Sequence, residues 1–295
     1  MKILITGGCG FVGSNIANEL KDIYDITVVD DLSFGDEENL DNDVFVMVID
    51  FNNLSAKFVN QFDVLIHCAT ANINYAITNP IKTFKLNALN TINLFKKFKG
   101  KIIYTSTSSV YGNATQLPTT ENAKEDVYNA YDQSKLIAEK YLQLRGNYTT
   151  LRLSNVYGVN QRPSNPYAGV IGRFIDQAIT HKPLTVFGKG FATRDYTYIS
   201  DVVEAVRLCI IQKPKNKEMN ISAGCEVSTY NLAEKIADIV GERYYIKYVD
   251  GRVVDKIMRR LLDSSLAKEE LGWKAKIGIN KGLKQTINWH REEYG

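Results

Sequence analysis

Tyr131 and Lys135 stand four residues apart in AYDQSKLIAEKYLQL, so on a helix both side chains project from one face. A phenol ionises near pH 10 and is a poor base at neutral pH until nearby positive charge stabilises the phenolate, which an adjacent lysine does. With 17 tyrosines in the chain such a pair arises readily by chance, and a surface tyrosine packed on a lysine stem would look the same. Its context gives it weight. About 20 residues upstream lie the apolar run KIIYTS and the hydroxyl-rich STSSVYG, which would bring a Thr or Ser hydroxyl beside the tyrosine at the carboxyl edge of a sheet. A trio of Thr107, Tyr131 and Lys135 has the chemistry to take a proton from a sugar hydroxyl while hydride leaves the same carbon.

A second constellation opens the chain. Gly7, Gly10 and Gly13 follow the run KILIT and begin the amphipathic stretch FVGSNIANELKD. Glycines there permit a tight turn and close backbone approach, so that a pyrophosphate can rest on a helix N-terminus. The triplet alone also serves a plain strand-to-helix turn. Asp30, about 20 residues on and at the end of ITVVD, adds a carboxylate placed for ribose hydroxyls. A carboxylate there repels a 2′-phosphate, and Asp31, Asp36 and Glu37 follow with no nearby arginine, so NAD is favoured over NADP. Asp50, just before Phe51, is placed either to meet the adenine or to form a strand-end turn.

The elements that must carry these residues read as short β-branched runs alternating with amphipathic stretches. KILIT, ITVVD, VFVMVID, VLIHC, KIIYTS and TTLRLS predict strands; FVGSNIANELKD, TFKLNALNTINLFKKF and AYDQSKLIAEKYLQL predict helices. Six strands with crossover helices imply an α/β, doubly wound parallel sheet of Rossmann type over residues 1–155. After that the alternation weakens and Pro/Gly/Asn-rich pieces such as GVNQRPSNPYAG appear, the pattern of a smaller α/β substrate domain over 156–295. EMNISAG offers a strand, near 218–224, that returns to the main sheet.

Composition narrows the classes. At 295 residues, 44% apolar and 23% charged, the chain is globular, and a net charge of +3 gives no basic stripe for nucleic acid. Cys9, Cys68, Cys209 and Cys225 lack ligand spacing, as do His67, His181 and His290, so no metal or disulfide framework is expected. The absence of a long apolar run or a signal-peptide pattern predicts no membrane span and a cytoplasmic location.

TGGCGFVGS, Asp30, STSSVYG, Y-x-x-x-K and LRLSNVYG together resemble the extended short-chain dehydrogenase/reductase family, in its nucleotide-sugar epimerase/dehydratase branch. PLTVFGKGFATRDYTYISDV and DSSLAKEELGW extend the resemblance over nearly the whole chain. It implies Thr107, Tyr131 and Lys135 as the catalytic set. NAD contacts are implied at Gly7, Gly10, Phe11, Val12, Gly13, Asp30, Asp31, Asp50, Phe51, Cys68, Ala69, Thr70, Asn87, Tyr131 and Lys135. For the substrate it implies Thr107, Asn155 and Val170, with Arg194 as the first diphosphate arginine. A second arginine is expected upstream of D-x-S-x-A, where Arg252 is preferred and Arg259 and Arg260 are rivals.

Dehydratases of the branch carry carboxyl groups after the catalytic threonine and decarboxylases of sugar acids keep a Glu, whereas Ser108 and Ser109 stand here. The resemblance therefore implies C4 epimerisation of a UDP-sugar, UDP-glucose/galactose or the N-acetylated pair, with 4,6-dehydration, decarboxylation and 4-keto reduction as alternatives. Asn72 and Asn90 depart from the branch's usual lysine and glycine without removing a catalytic group, and Arg260 lies near a position that gates sugar size. A regulator that senses NAD without turnover is the rival class, and such proteins commonly lose the tyrosine or lysine that this chain keeps. Excess apolar positions on TFKLNALNTINLFKKF and AYDQSKLIAEKYLQL match helices that pair into a homodimer in the family.

Overall fold

A computed structural model describes residues 1–161, 169–241, 244–251 and 257–294. The six expected strands form as β1 (Lys2–Thr6), β2 (Asp25–Asp30), β3 (Phe45–Val48), β4 (Val64–His67), β5 (Lys101–Thr107) and β6 (Tyr148–Leu153). β1, β4 and β6 are buried almost throughout, as a central parallel sheet covered on both faces requires. β3 is half exposed because it is the sheet's edge.

The covering helices are α1 (Phe11–Leu20), α2 (Ala56–Val59), α3 (Ile73–Thr78), α4 (Pro80–Phe84), α5 (Thr91–Lys97) and α6 (Ala130–Arg145). The stretch predicted as one helix, TFKLNALNTINLFKKF, is interrupted: residues Lys85–Asn90 adopt π-helical turns between α4 and α5. The Thr91 hydroxyl reaches back five residues to the Leu86 carbonyl at 3.1 Å, and Asn87 is drawn toward Ala71 with two bonds of 2.8 Å. Side chains thus compete for the backbone there, a known setting for π-bulges.

Beyond residue 154 come β7 (Asn155–Tyr157), β8 (Leu184–Phe187), β9 (Thr193–Tyr198), β10 (Lys217–Ile221), β11 (Glu226–Ser228) and β12 (Ile246–Val249). With them run α7 (Val170–Ile179), α8 (Ile199–Gln212), α9 (Thr229–Val240), α10 (Ser265–Leu271) and α11 (Ile279–Tyr294). β10 returns to the large sheet and pairs in parallel with β6, giving seven strands in the order β10-β6-β5-β4-β1-β2-β3. The sheet is of Rossmann type, with its order reversing between β1 and β4. β7 and β11 flank β9, and β8 pairs with β12, as two small sheets outside it. No helix among the described residues is long and apolar enough to cross a membrane.

Candidate active site

The β1–α1 turn is shaped by what a side chain would strike. Gly7 has φ +73°, and a Cβ on it would lie 2.4 Å from the Ala69 amide nitrogen. A Cβ on Gly13 would lie 2.2 Å from the Gly7 carbonyl oxygen. The turn is therefore closed to any larger residue, and α1 begins at Gly10 with no side-chain cap and no acidic residue in its first turn. Its N-terminal amides face a cleft of about 640 Å3. Asp30 lines the same cleft; its carboxylate accepts the Cys9 amide at 3.0 Å and the Leu32 amide at 2.9 Å, and burial pushes its pKa up. Each oxygen keeps a lone pair for a further donor. Uncapped helix amides, a turn without side chains and an ordered carboxylate together fit a dinucleotide's pyrophosphate and ribose.

Of the residues expected at the cofactor, Gly7, Gly10, Phe11, Val12, Gly13, Asp30, Asp31, Phe51, Cys68, Ala69, Thr70 and Tyr131 line this cleft. Asp50 does not: its side chain accepts the Asn52 amide at 2.8 Å and caps the turn Phe51–Asn53. Asn87 is buried and grips the backbone of Ala71, fixing the β4 loop from behind. Val29, Leu32, Ser33, Phe34, Gly35, Asn39, Leu86, Val156, Asn160 and Gln161, for which spacing along the chain predicts no role, also line it. The backbone of Leu32 has φ +59°, and Phe34 meets Tyr75 edge-on at 5.1 Å.

Thr107 comes from β5, and Tyr131 and Lys135 from α6. Thr107 ends β5 and caps the turn Ser108–Tyr111, its hydroxyl accepting the Ser109 amide at 3.1 Å and lying 2.9 Å from the Ser109 hydroxyl. Asn129 caps α6 through the Asp132 amide, which fixes the rotation of the helix and hence the direction of Tyr131. Burial pushes the Tyr131 phenol up to about 12 and neighbouring Asp132 adds to this, while a hydrogen bond with Thr107 and the charge of Arg260 pull it down. Lys135, 2% exposed, donates to the Thr105 carbonyl at 2.7 Å and lies 4.3 Å over the Tyr104 ring. Burial pulls its ammonium down to about 7.

One helical turn further, the wholly buried Glu139 takes a hydrogen bond from Ser106 and forms an ion pair with buried Arg152 at 2.7 Å. Arg152 also donates to the Tyr111 hydroxyl at 2.9 Å, and that hydroxyl donates to Asn220 Oδ1 of β10 at 2.8 Å. The catalytic helix is thereby joined to the returning strand. Burial raises the pKa of the Asp132 carboxyl, and the Ser109 hydroxyl and the charge of Arg260 act to lower it.

On the sugar side, Asn155 lines the cleft at the start of β7, and Val170 opens α7 beside the lining residue Gly169. Arg194 on β9 donates to the Thr193 carbonyl at 2.8 Å and lies within electrostatic reach of Arg260. Arg259 faces outward, 57% exposed on its side chain, and pairs with Glu226. Arg260 faces inward, with Nη2 buried and without a hydrogen-bond partner. Arg252 lies outside the described residues. Among the described residues no cluster of His, Cys, Asp and Glu is arranged to hold a metal.

A dinucleotide cleft at the switch point of a parallel sheet, lined by Tyr131 with Lys135 one turn on along the same helix, defines an NAD-dependent enzyme of the short-chain class. Residues 3–222 match the model of the NAD dependent epimerase/dehydratase family, and the chain belongs to that family. It is 34% identical over 305 residues to a putative UDP-glucose 4-epimerase of Methanocaldococcus jannaschii, covering 97% of each chain. It is 32% identical to a UDP-N-acetyl-alpha-D-glucosaminuronate decarboxylase of Bacillus cytotoxicus, covering 99% of this chain and 98% of that one. The structure of a Thermotoga maritima UDP-glucose 4-epimerase with UDP-glucose superimposes with a TM-score of 0.94 at 30% identity and covers all of both chains.

Proposed function

We propose that the chain epimerises a UDP-sugar at C4. The observation that carries this reading is that Tyr131, with the Thr107 hydroxyl beside it, lines the cofactor cleft, and Lys135 follows one turn on along the same helix. Bound NAD supplies acceptance and return of a hydride at C4. Tyr131 takes the C4-hydroxyl proton as the carbon is oxidised, Thr107 holds that oxygen by a hydrogen bond, and the Lys135 ammonium stabilises the phenolate. The 4-keto sugar then turns about its bond to the diphosphate, which Arg194, Asn155 and a second arginine hold, and Tyr131 returns the proton on the other face. The glycine turn, α1 N-terminus and Asp30 retain NAD throughout, and Asp50 and Asn87 act by shaping the walls. Relatives named as 4-epimerases support the reading.

Relatives named as sugar-acid decarboxylases support a second reading, in which the 4-keto sugar loses a neighbouring group before hydride returns. Product NMR after incubation with UDP-sugars and no added cofactor tests both. An epimer supports the first reading; a decarboxylated or 4-keto-6-deoxy product, or turnover only with NADPH, overturns it. Residues 1–155 as the cofactor unit and 156–295 as the sugar unit belong to the same proposal. So does a homodimer through TFKLNALNTINLFKKF and α6, where Leu89, Ile137 and Leu144 are exposed.

A further inference from the structure

The Lys135 ammonium is set on an aromatic ring. Tyr104, on β5 and wholly buried, lies under it with Nζ 4.3 Å from the ring centroid, and the next carbonyl along the strand, that of Thr105, accepts an N–H from it at 2.7 Å. Among the described residues no carboxylate bonds to it: Glu139, one turn further along α6, is committed to Arg152 and Ser106. His67 and Cys68 face the same region from β4, and both are neutral. Burial pushes the Cys68 thiol up to about 12, and burial with the charge of Lys135 holds His67 well below its ordinary value. The ring is itself held in place. His67 is its partner in register across β4 and β5 and stacks on it at 5.8 Å, while Phe95 meets it edge-on at 5.5 Å. Thr91 gives its hydroxyl proton to the Leu86 carbonyl, so it accepts Nε2–H of His67 at 3.0 Å, and Nδ1 accepts from the Thr6 hydroxyl at 2.6 Å.

We propose that Tyr104 is a positioning residue for Lys135: the face of its ring, together with the Thr105 carbonyl, fixes the ammonium one helical turn from Tyr131 and keeps it charged where water is excluded. The inference rests on reading Lys135 as the partner of the phenolate, and not on which nucleotide sugar is turned over. A buried ammonium bonded to one carbonyl has lost most of what water gave it. The negative face of a ring attracts the charged form alone, and attracts it most where the contact is desolvated. A carboxylate in the same place would also hold the ammonium, but its own charge would cancel the field that Lys135 exerts at the Tyr131 oxygen. A ring face steadies the cation without carrying a net charge. The Tyr104 hydroxyl takes no part in this, since it is buried with no hydrogen-bond partner.

The test follows the ammonium itself, by carbon NMR of the lysine Cε with Lys135→Met assigning the resonance, and the pH profile of kcat beside it. Tyr104→Leu should lower the pH at which the ammonium titrates by about one pH unit, the scale of a desolvated cation–π contact, and move the alkaline limb of kcat with it. Tyr104→Phe keeps the face and loses only an unbonded hydroxyl, so both should stay where they are. Should Tyr104→Leu fail to fold, phenylalanines bearing successive ring fluorines, installed at position 104, weaken the face at nearly constant shape, and the titration should step down with each fluorine. A folded Tyr104→Leu or fluorinated protein that titrates like the unaltered one overturns the inference. An equal shift in Tyr104→Phe also overturns it and assigns the effect to the hydroxyl. The expected shift at Lys135 in a protein that yields no epimer overturns the epimerase reading and leaves the inference intact.

Discussion

The polar groups around the cofactor cleft and those on the sugar side are held in opposite ways. Asp30 is answered by amides of Cys9 and Leu32, and the glycine turn needs only backbone; each contact lies within a strand or loop of its neighbour. On the sugar side the supports are long-range: Thr119 to Leu261, Asn220 to the Asp263 carbonyl at 3.0 Å, Trp273 to the Asp201 carbonyl at 2.8 Å. There a charged group, Arg260, is left with an orphaned donor. The carboxylate on the cofactor side is answered as folded, whereas the cation on the sugar side is left to what binds there.

Four measurements bear on that contrast. Tyr131→Phe, at the junction of the two halves, should lower kcat by about 10²–10⁴-fold while the purified protein still carries NAD, read from nucleotide released on denaturation. An active variant would sink the mechanism. Glu139→Gln strands the buried Arg152 and should cost about 3–5 kcal/mol in urea unfolding, with one cooperative transition if α6 and β10 are mechanically joined. Two separated transitions would mean that the halves are independent after all.

Gly13→Ala should cost about 1–3 kcal/mol and empty the protein of NAD, because its Cβ has no room beside the Gly7 carbonyl. Full NAD content in this variant would show the loop to be more yielding than its geometry. Lys135 is read through the pH dependence of stability. Its pKa falls to about 7 on folding from 10.5, so between these values the unfolded chain binds more protons and stability rises with pH. Folding carries the full desolvation penalty below pH 7, and the slope above it is at most about 1.4 kcal/mol per pH unit. Lys135→Met should flatten urea midpoints between pH 7 and 10, and an unchanged slope would count against a buried, ionising lysine.

The same contrast explains what could be read in advance. The strands, the glycine turn, Asp30 and the Tyr131–Lys135 spacing are local patterns, and local pattern is what periodicity reports. The π-helical turns at Lys85–Asn90 were hidden because they depend on Asn87 reaching Ala71 and on the Thr91 hydroxyl. Glu139 shares the heptad-like face of Tyr131 and Lys135, at positions eight and four residues on, yet nothing in that spacing pairs it with Arg152. Which of two adjacent arginines turns inward depends on Glu226, distant in sequence from both.

The returning strand has a consequence for synthesis. β6 is complete at Leu153, but its partner β10 begins only at Lys217, some sixty residues later. At ribosomal speeds the nascent chain spends roughly 3–12 s with a strand that is wholly buried in the finished fold as an open sheet edge. Such an edge invites pairing with a neighbouring chain, and the Arg152–Glu139 pair is then still without Asn220 behind it. A holdase that shields β6 during that interval, or slower growth temperature, should raise the yield of folded protein more than any change made at the cofactor end.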